Sequence, residues 1–452
     1  MGTKDLVMEC VLLIDYGSTY TKVVAVDVSE PKLLGCASAY TTIETDVGEG
    51  LENALSELRF QTGISEFHER FACSSAAGGL RMVASGLVPE LTAKAASLAS
   101  MGAGAKVVGL YSYELIEDDI EEIIAKSPDI MLLTGGTDGG NKKCILHNAE
   151  MLANARCDFP IIVAGNRNCG RDVMKILAHH EVYLCENVMP SVGAINIEPT
   201  RQLIRDIFLK RIVRAKGLSN EVLMPTPSAM LAAMELLATD IGGLVGIDVG
   251  GATTDVYSIT DGAPCAVNVI YRGLPEPYVK RTVEGDIGMR YSAQGIVEAV
   301  GISRIADLSG MTADAAAGQT HYISGHTDSL PESDEQKALD FALAAMAIET
   351  ATIRHAGTLE EIYTTSGRAY VQTGKDLTGV GTVIMTGGAL LYTDRQNELV
   401  QYALYNDKKP QSLRPKKTEL LVDSHYILAA MGLLSKFKPT VALELMKSFV
   451  SG

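Results

Sequence analysis

The sequence is short of positive charge, of long apolar runs and of paired cysteines, and each shortage removes a class of function. Lysine and arginine number 39 against 55 aspartates and glutamates in 452 residues, a formal net charge of -16 with a pI near 5.0. That balance excludes a protein that works by neutralising nucleic-acid phosphates or by lying on an anionic membrane. Solubility accounts for it. From Met1 to Tyr16 the only apolar run is Val11-Leu12-Leu13-Ile14, stopped at once by Asp15, far less than a signal peptide or spanning helix requires. A cytoplasmic location is therefore expected. Myristoylation wants Ser or Thr at the sixth residue, where Leu6 stands. The eight cysteines (Cys10, Cys36, Cys73, Cys144, Cys157, Cys169, Cys185, Cys265) form no CxxC pair and several sit in apolar runs. Buried reduced thiols are expected. His179-His180, the one adjacent histidine pair, has no carboxylate or thiol at ligand spacing, and a helix C-terminus explains it better than a metal site.

What is present is enough apolar material for more than one core, at 47% hydrophobic residues, and a length that fits ~2 to 3 domains. Two segments about 230 residues apart repeat one plan: an apolar strand ending in Asp, a tight Gly-Ser/Thr turn, and a second strand. They run from Leu12 to Lys22 and from Val245 to Asp255, and resume as Val23-Val24-Ala25-Val26 and Val256-Tyr257-Ser258-Ile259. Each reads as a β-hairpin opening a domain. A later pairing sets Ile130 to Gly136 against Val383 to Gly388, so two related α/β domains are expected, 1-240 and 241-452.

Between the hairpins, Lys106 to Asn187 alternates strand-like runs (Val107 to Leu110, Ile130 to Leu133, Ile161 to Val163, Val182 to Leu184) with helical periodicity (Leu115 to Ala125, Arg171 to His179). This predicts an additional parallel βαβ region at about 104-190 in the first half. Further predicted helices are Gln202 to Lys216, Ser228 to Ala238, Glu335 to Ala356 and Tyr426 to Ser435.

A triphosphate needs backbone amides that approach its oxygens closely, and glycine permits this because it has no Cβ. Gly17, Gly250 and Gly251 fit, with hydroxyls from Ser18, Thr19, Thr253 and Thr254 beside them and a cation from Lys22. Magnesium prefers oxygen ligands and keeps several waters, which suits Asp15 and Asp248 at the strand ends. One such hairpin alone is ordinary turn chemistry. Two at the heads of similar halves, with Gly387-Gly388 after a later strand, form a far narrower coincidence. Gly387-Gly388 reads either as a flat seat for adenine or ribose or as a strand-to-helix turn. Thr134 to Gly140, at the carboxyl end of a predicted parallel strand where ligands often bind, reads either as a ligand site or as a tight turn. Glu284 to Gly288 places two carboxylates where they either cap a helix or lie near the nucleotide.

The hairpins and the Gly-Gly turn resemble the phosphate-one, phosphate-two and adenosine motifs of the actin-like ATPase superfamily. Cys73 to Met82, Leu132 to Gly140, Met224 to Met230, Val283 to Arg290 and Tyr426 to Gly432 resemble, more narrowly, the GlmL family, also called MutL in glutamate-fermenting bacteria and unrelated to the mismatch-repair protein of that name. The resemblance spans nearly the whole chain. It implies two ribonuclease-H-like actin-type ATPase domains around a central nucleotide cleft, with ATP and Mg2+ as cofactors. Asp15 and Asp248 would position magnesium and the attacking water. Gly17, Ser18, Thr19 and Lys22 would hold one side of the phosphates, Gly250, Gly251, Ala252 and Thr253 the other, and Gly387 with Gly388 the nucleoside. The implied partner is an adenosylcobalamin-dependent mutase or aminomutase, on glutamate, ornithine or lysine, from which ATP hydrolysis drives damaged cobalamin.

Loss of the terminal phosphate should loosen closure of the two hairpins, coupling hydrolysis to a hinge. The rival is a small-molecule kinase with the same cleft, kept open by the spare Asp138 and Asp286. A dehydratase activator needs clustered cysteines for an iron-sulfur centre, which the scattered thiols do not offer. A filament-forming actin relative is the remaining alternative, and a homodimer is compatible with the reading.

Overall fold

The computed structural model describes residues 9-41, 47-75, 80-155, 157-212, 222-265, 268-365, 367-391 and 393-450. Residues 1-8, residues 76-79 of the Cys73 to Met82 motif, and the 213-216 end of the expected Gln202 to Lys216 helix lie outside these. The chain divides into two compact units, one of residues 1-77, 221-270 and 278-452, the other of residues 78-220 and 271-277.

The first unit holds two five-stranded sheets of identical plan. In one the order is Lys32–Tyr40, Tyr20–Asp27, Cys10–Tyr16, Glu69–Ser74, Val222–Pro225. In the other it is Val279–Glu284, Thr254–Ile259, Leu244–Val249, Thr382–Thr386, Glu419–Val422. In both, the first three strands are antiparallel and the last two run parallel to the hairpin's leading strand. Cys10–Tyr16 is buried at every position, which is why it reads as a continuous apolar run rather than an alternating one. This is the two-sheet α/β arrangement that the resemblance implies.

The counterpart of Thr382–Thr386 is Glu69–Ser74, the parallel neighbour of Cys10–Tyr16. The expected pairing of Ile130 to Gly136 with Val383 to Gly388 is therefore corrected: Ile130–Leu133 belongs to a different sheet. Any parallel strand that must turn sharply into a helix carries the same apolar-then-glycine signature, so the local pattern does not identify the sheet.

Two helices pack between the sheets, Thr226–Ile241 and Leu428–Leu434, in one apolar core with Leu13, Val24, Leu244, Tyr257 and Ile384. Thr226–Ile241 starts where Pro225 and Pro227 preset the first turn, and stops at Gly242 with φ +81°. The second sheet packs its other face on Asp334–His355. That helix is fixed at its start by a capping box, Ser333 Oγ accepting from the Gln336 amide and Gln336 Oε1 from the Ser333 amide.

The second unit is a five-stranded, wholly parallel sheet in the order Ala105–Ser112, Leu80–Gly86, Ile130–Leu133, Ile161–Val163, Val182–Leu184. Its helices include Glu117–Ala125, Lys143–Ala153, Gly170–Ile176 and Glu198–Ile207. The parallel run is thus larger than its sequence signal, with Leu80–Gly86 as an interior strand. The helix expected from Gln202 begins earlier and continues past Ile207 as a wide turn, Phe208–Ile212. All eight cysteines are unpaired, four of them buried. Among the described residues no helix is long and apolar enough to cross a membrane.

Candidate functional site

Both hairpins of the first unit open on one cavity of about 280 Å³. Asp15, Gly17, Ser18, Thr19 and Lys22 line it from the first hairpin, and Asp248, Gly250, Gly251 and Thr253 from the second. Gly388 also lines it. Ala252 and Gly387, expected in the same set, do not reach its wall. Gly387 has φ +116°, and a Cβ there would run into the backbone carbonyl of Val249, so it lets the strand ends pack edge to edge beneath the turn.

The amides of Gly17 and Gly250 close their own turns, donating to the Tyr20 carbonyl at 3.2 Å and the Thr253 carbonyl at 2.9 Å. These two glycines shape the hairpins. The tips meet: a Cβ on Gly251 would stand 2.7 Å from Thr19 Oγ1. Thr19 is 9% exposed, and its hydroxyl has no hydrogen-bond partner among the described residues. A buried hydroxyl without a partner is costly in a closed protein, which fits a wall built to meet a polar ligand. Thr254 is not part of that wall, since its hydroxyl donates to the Ile287 carbonyl at 3.0 Å.

The two aspartates sit in unlike environments, and the pairing register explains why. Asp15 faces Lys22 across its hairpin, whereas Asp248 faces Asp255. Lys22 Nζ lies 3.7 Å from Asp15 Oδ2. Thr226 Oγ1 donates to Asp15 Oδ1 at 2.5 Å, and Cys73 Sγ to the same oxygen at 3.5 Å. Burial, then the neighbouring Asp15 charge, holds the Cys73 thiol well above its ordinary pKa. Burial first, and then the charges of Asp255, Asp15 and Asp423, push the Asp248 carboxyl up to about 7, with Lys22 pulling the other way. Its nearest donor is the Tyr426 hydroxyl at 3.5 Å. Asp255 stays ion-paired with Arg281, Nε to Oδ1 2.7 Å and Nη2 to Oδ1 2.6 Å, both side chains being buried.

Sequence reasoning missed several residues at this cavity. Tyr426 lines it in a left-handed conformation, φ +58°, with Lys22 Nζ 3.3 Å above its ring centre. A bulky residue holds that conformation only when its surroundings impose it. Here Asp423 does so, its carboxylate accepting from the Ile427 and Leu428 amides at 2.9 and 3.1 Å and from Thr386 Oγ1 at 3.2 Å. Arg290 also lines the cavity, its guanidinium forked onto Asp340 at 3.2 and 2.8 Å. The amides of Met289 and Arg290 donate to the Gly250 and Gly251 carbonyls, so Val283 to Arg290 docks on the second hairpin. Glu284 and Asp286, expected near a helix start or the nucleotide, do neither: the helix begins at Ala293, and neither residue lines the cavity. Thr134 to Gly140, in the second unit, closes a turn of its own, Gly140 N to Thr137 O 2.9 Å, held by Asn166 and Asn187 side chains. The signals for Thr226 and Tyr426 lay in motifs that are visible in the sequence but carry no chemical spacing rule.

The donors that the two hairpins bring to the cavity suit a hydrated hard cation beside phosphates: the carboxylates of Asp15 and Asp248 and hydroxyls at both tips, with Cys36 and His425 elsewhere on the wall. Among the described residues no three His, Cys, Asp or Glu side chains gather into a ligand cluster.

A family model described as MutL protein matches residues 11–450. Protein MutL of Clostridium tetanomorphum is 45% identical over 460 residues, covering 98% of this chain and 99% of that one. Among solved structures, a nucleotide-free acetone carboxylase aligns over 95% of this chain and 70% of its own, at a TM-score of 0.43 and 13% identity. The activator of the 2-hydroxyisocaproyl-CoA dehydratase from Clostridium difficile, with bound ADPNP, aligns over 97% and 96%, at 0.32 and 9%. Gluconate kinase from Lactobacillus acidophilus aligns over 99% and 93%, at 0.35 and 11%.

Proposed function

This chain belongs to the MutL protein family, and on that premise we propose that it binds and hydrolyses ATP to reactivate an adenosylcobalamin-dependent mutase or aminomutase. The observation that carries the proposal is the convergence of Asp15 and Asp248, from two equivalent strand ends, on one cavity. Lys22 and the hydroxyls of Ser18, Thr19 and Thr253 would hold phosphate oxygens. Asp15 and Asp248 would hold Mg2+ through water, and the ion would supply neutralisation of the charge that gathers on the phosphoryl group. Asp15 is fixed for that role by Thr226 and Lys22. Asp248, with a pKa of about 7, is matched to take a proton from the attacking water near neutral pH. Tyr426, bonded to Asp248 and stacked under Lys22, touches the active groups of both hairpins, so it would register whether the terminal phosphate is present.

The partner follows from the family. Two lobes, 1-240 and 241-452, would close on the nucleotide and relax after hydrolysis, and the mutase would sense that motion. Mixing the protein with hydroxocobalamin-inactivated mutase, Mg-ATP and fresh adenosylcobalamin is expected to restore mutase activity, with phosphate released in the absence of any small acceptor. ATP turnover that requires one sugar or acid, with no mutase recovered from any of the glutamate, ornithine or lysine enzymes, contradicts the proposal and favours a kinase.

A further inference from the structure

Three hydroxyls join the two sheet-bearing halves of the first unit at the rim of the cavity. Tyr40 Oη lies 3.1 Å from Tyr291 Oη and 3.3 Å from Thr327 Oγ1. Tyr40 ends the outer strand of the first sheet, Lys32–Tyr40. Tyr291 and Thr327 fall in sequence between the outer strand of the second sheet, Val279–Glu284, and the helix Asp334–His355. Thr327 lines the cavity, as does Tyr20, whose ring meets the Tyr40 ring edge-on at 6.0 Å. Tyr40 and Tyr291 are themselves 37% and 47% exposed and do not line it. The hydroxyls therefore meet where the cavity meets solvent.

Each end of this bridge is anchored beside a hairpin tip. On the first side the amide of Thr41, the residue after Tyr40, donates to the Thr19 carbonyl at 2.8 Å, and Thr41 Oγ1 pairs with Thr21 Oγ1 at 3.0 Å in the interior. On the second side Tyr291 follows Arg290, whose amide donates to the Gly251 carbonyl at 2.8 Å and whose Nε donates to the Ser329 carbonyl at 3.1 Å. Asp340 holds the same guanidinium, which fastens Tyr291 and the 327-329 segment to the second tip. Thr19 and Gly251 are the residues at which the two tips meet. The halves are thus tied twice, inside by Thr19 against Gly251 and outside by Tyr40, and a shift of either tip pulls on the outer tie from one residue away.

Hydrogen bonds between exposed hydroxyls are weak, because water competes for each partner. A weak tie suits a device that opens and shuts over a site, since a strong one would trap the ligand.

We propose that the Tyr40 hydroxyl is the catch of a gate: its bonds to Tyr291 and Thr327 close the rim of the cavity, and their rupture is the step that admits and releases nucleotide. The ligand rests on the nucleotide site proposed above, whereas the gate is a property of the tips and the rim alone. With phosphates between Thr19 and Gly251, loss of one loosens the catch through Thr41 and Arg290.

Stopped-flow association and release of fluorescent methylanthraniloyl-ADP, with Mg2+, tests this in the full-length parent, Tyr40→Phe, Tyr291→Phe and the double variant. All four keep their aromatic rings and differ only in hydroxyls. Tyr40→Phe removes both bonds, and should speed release about three- to tenfold and association by a similar factor. Tyr291→Phe leaves the Thr327 bond and should have a smaller effect, while the double variant should match Tyr40→Phe. Parental rates in Tyr40→Phe overturn the gate, as do effects of the two substitutions that multiply in full. Faster release at unchanged association also overturns it, since that marks a direct contact with the nucleotide.

Hydrogen exchange at the Arg290 amide, measured without nucleotide, reads the gate by itself. Arg290 belongs to the half that faces Tyr40, so a merely local role for Tyr40 leaves this amide unmoved, whereas loss of the catch should speed its exchange about three- to tenfold. A parent that binds no fluorescent ADP sinks the nucleotide reading, and the exchange then decides the gate. Parental exchange at Arg290 in Tyr40→Phe overturns it.

Discussion

Asp248→Asn is expected to unfold later than the parent at pH 8, and to retain no more than about a thousandth of its ATP hydrolysis. The two effects share one cause. In the folded chain the Asp248 carboxyl titrates near 7 because it is buried and surrounded by Asp255, Asp15 and Asp423. In the unfolded chain it titrates near the ordinary value of about 4. The folded state therefore holds a proton that the unfolded state releases between those values. Stability associated with Asp248 is fully present below about pH 4 and is lost as pH rises through 7. Asparagine carries no such charge. The variant and parent should match near pH 4 and separate progressively, reaching on the order of 2 to 4 kcal/mol in the variant's favour above pH 7. Chemical denaturation across this range reads the gap directly. A constant difference between the two proteins from pH 4 to 8 would mean that Asp248 is not strained by its charge. The parent's ATP hydrolysis should rise with pH up to about 7 as the base ionises, a limb absent from the residual activity of the variant.

Gly387→Ala carries the second large effect, and it acts on the fold. At φ +116° an alanine is strained, by about 1 to 3 kcal/mol. Its Cβ would also collide with the backbone of Val249, carbonyl and amide alike, where no flexible side chain exists to yield. Val249 leads directly into Gly250 and Gly251, so relief of the clash displaces the second hairpin tip. A loss of roughly 3 kcal/mol or more is expected by urea denaturation, together with weaker nucleotide binding. Gly388→Ala, with open space around its Cβ position, should keep most of the stability. Equal stability in the two variants would contradict the packing described.

The hairpins were legible in the sequence because each is a local event: strand, aspartate, turn and strand fall within a dozen residues. The long helix Asp334–His355 was legible to within one residue at each end, since its capping box and apolar period are local as well. What escaped was assembled over distance. Val222–Pro225 joins the first sheet beside Glu69–Ser74 after an excursion of about 150 residues through the second unit, and no local pattern announces the partner. Leu80–Gly86 was hidden for the same reason, since it is flanked in its sheet by strands that both follow it in sequence. Thr226, at the start of an apolar helix, reaches Asp15 from 211 positions away. Tyr426 is a surface-type residue until Asp423 forces it to turn inward. Arg414, in a stretch rich in charge, reads as solvated, and only the pairing of Leu413 with Gly357 and Leu377 takes it out of water.

The central claim is that two acidic strand ends act together on one metal-bound nucleotide. Phosphate release from Mg-ATP by Asp15→Ala, Asp248→Ala and the double variant, each confirmed folded by circular dichroism, tests it most directly. Each single change should reduce the rate by about a hundredfold or more, and the double variant should be little worse than the poorer single one, because the carboxylates serve the same step. Parental rates in both folded single variants would contradict the account.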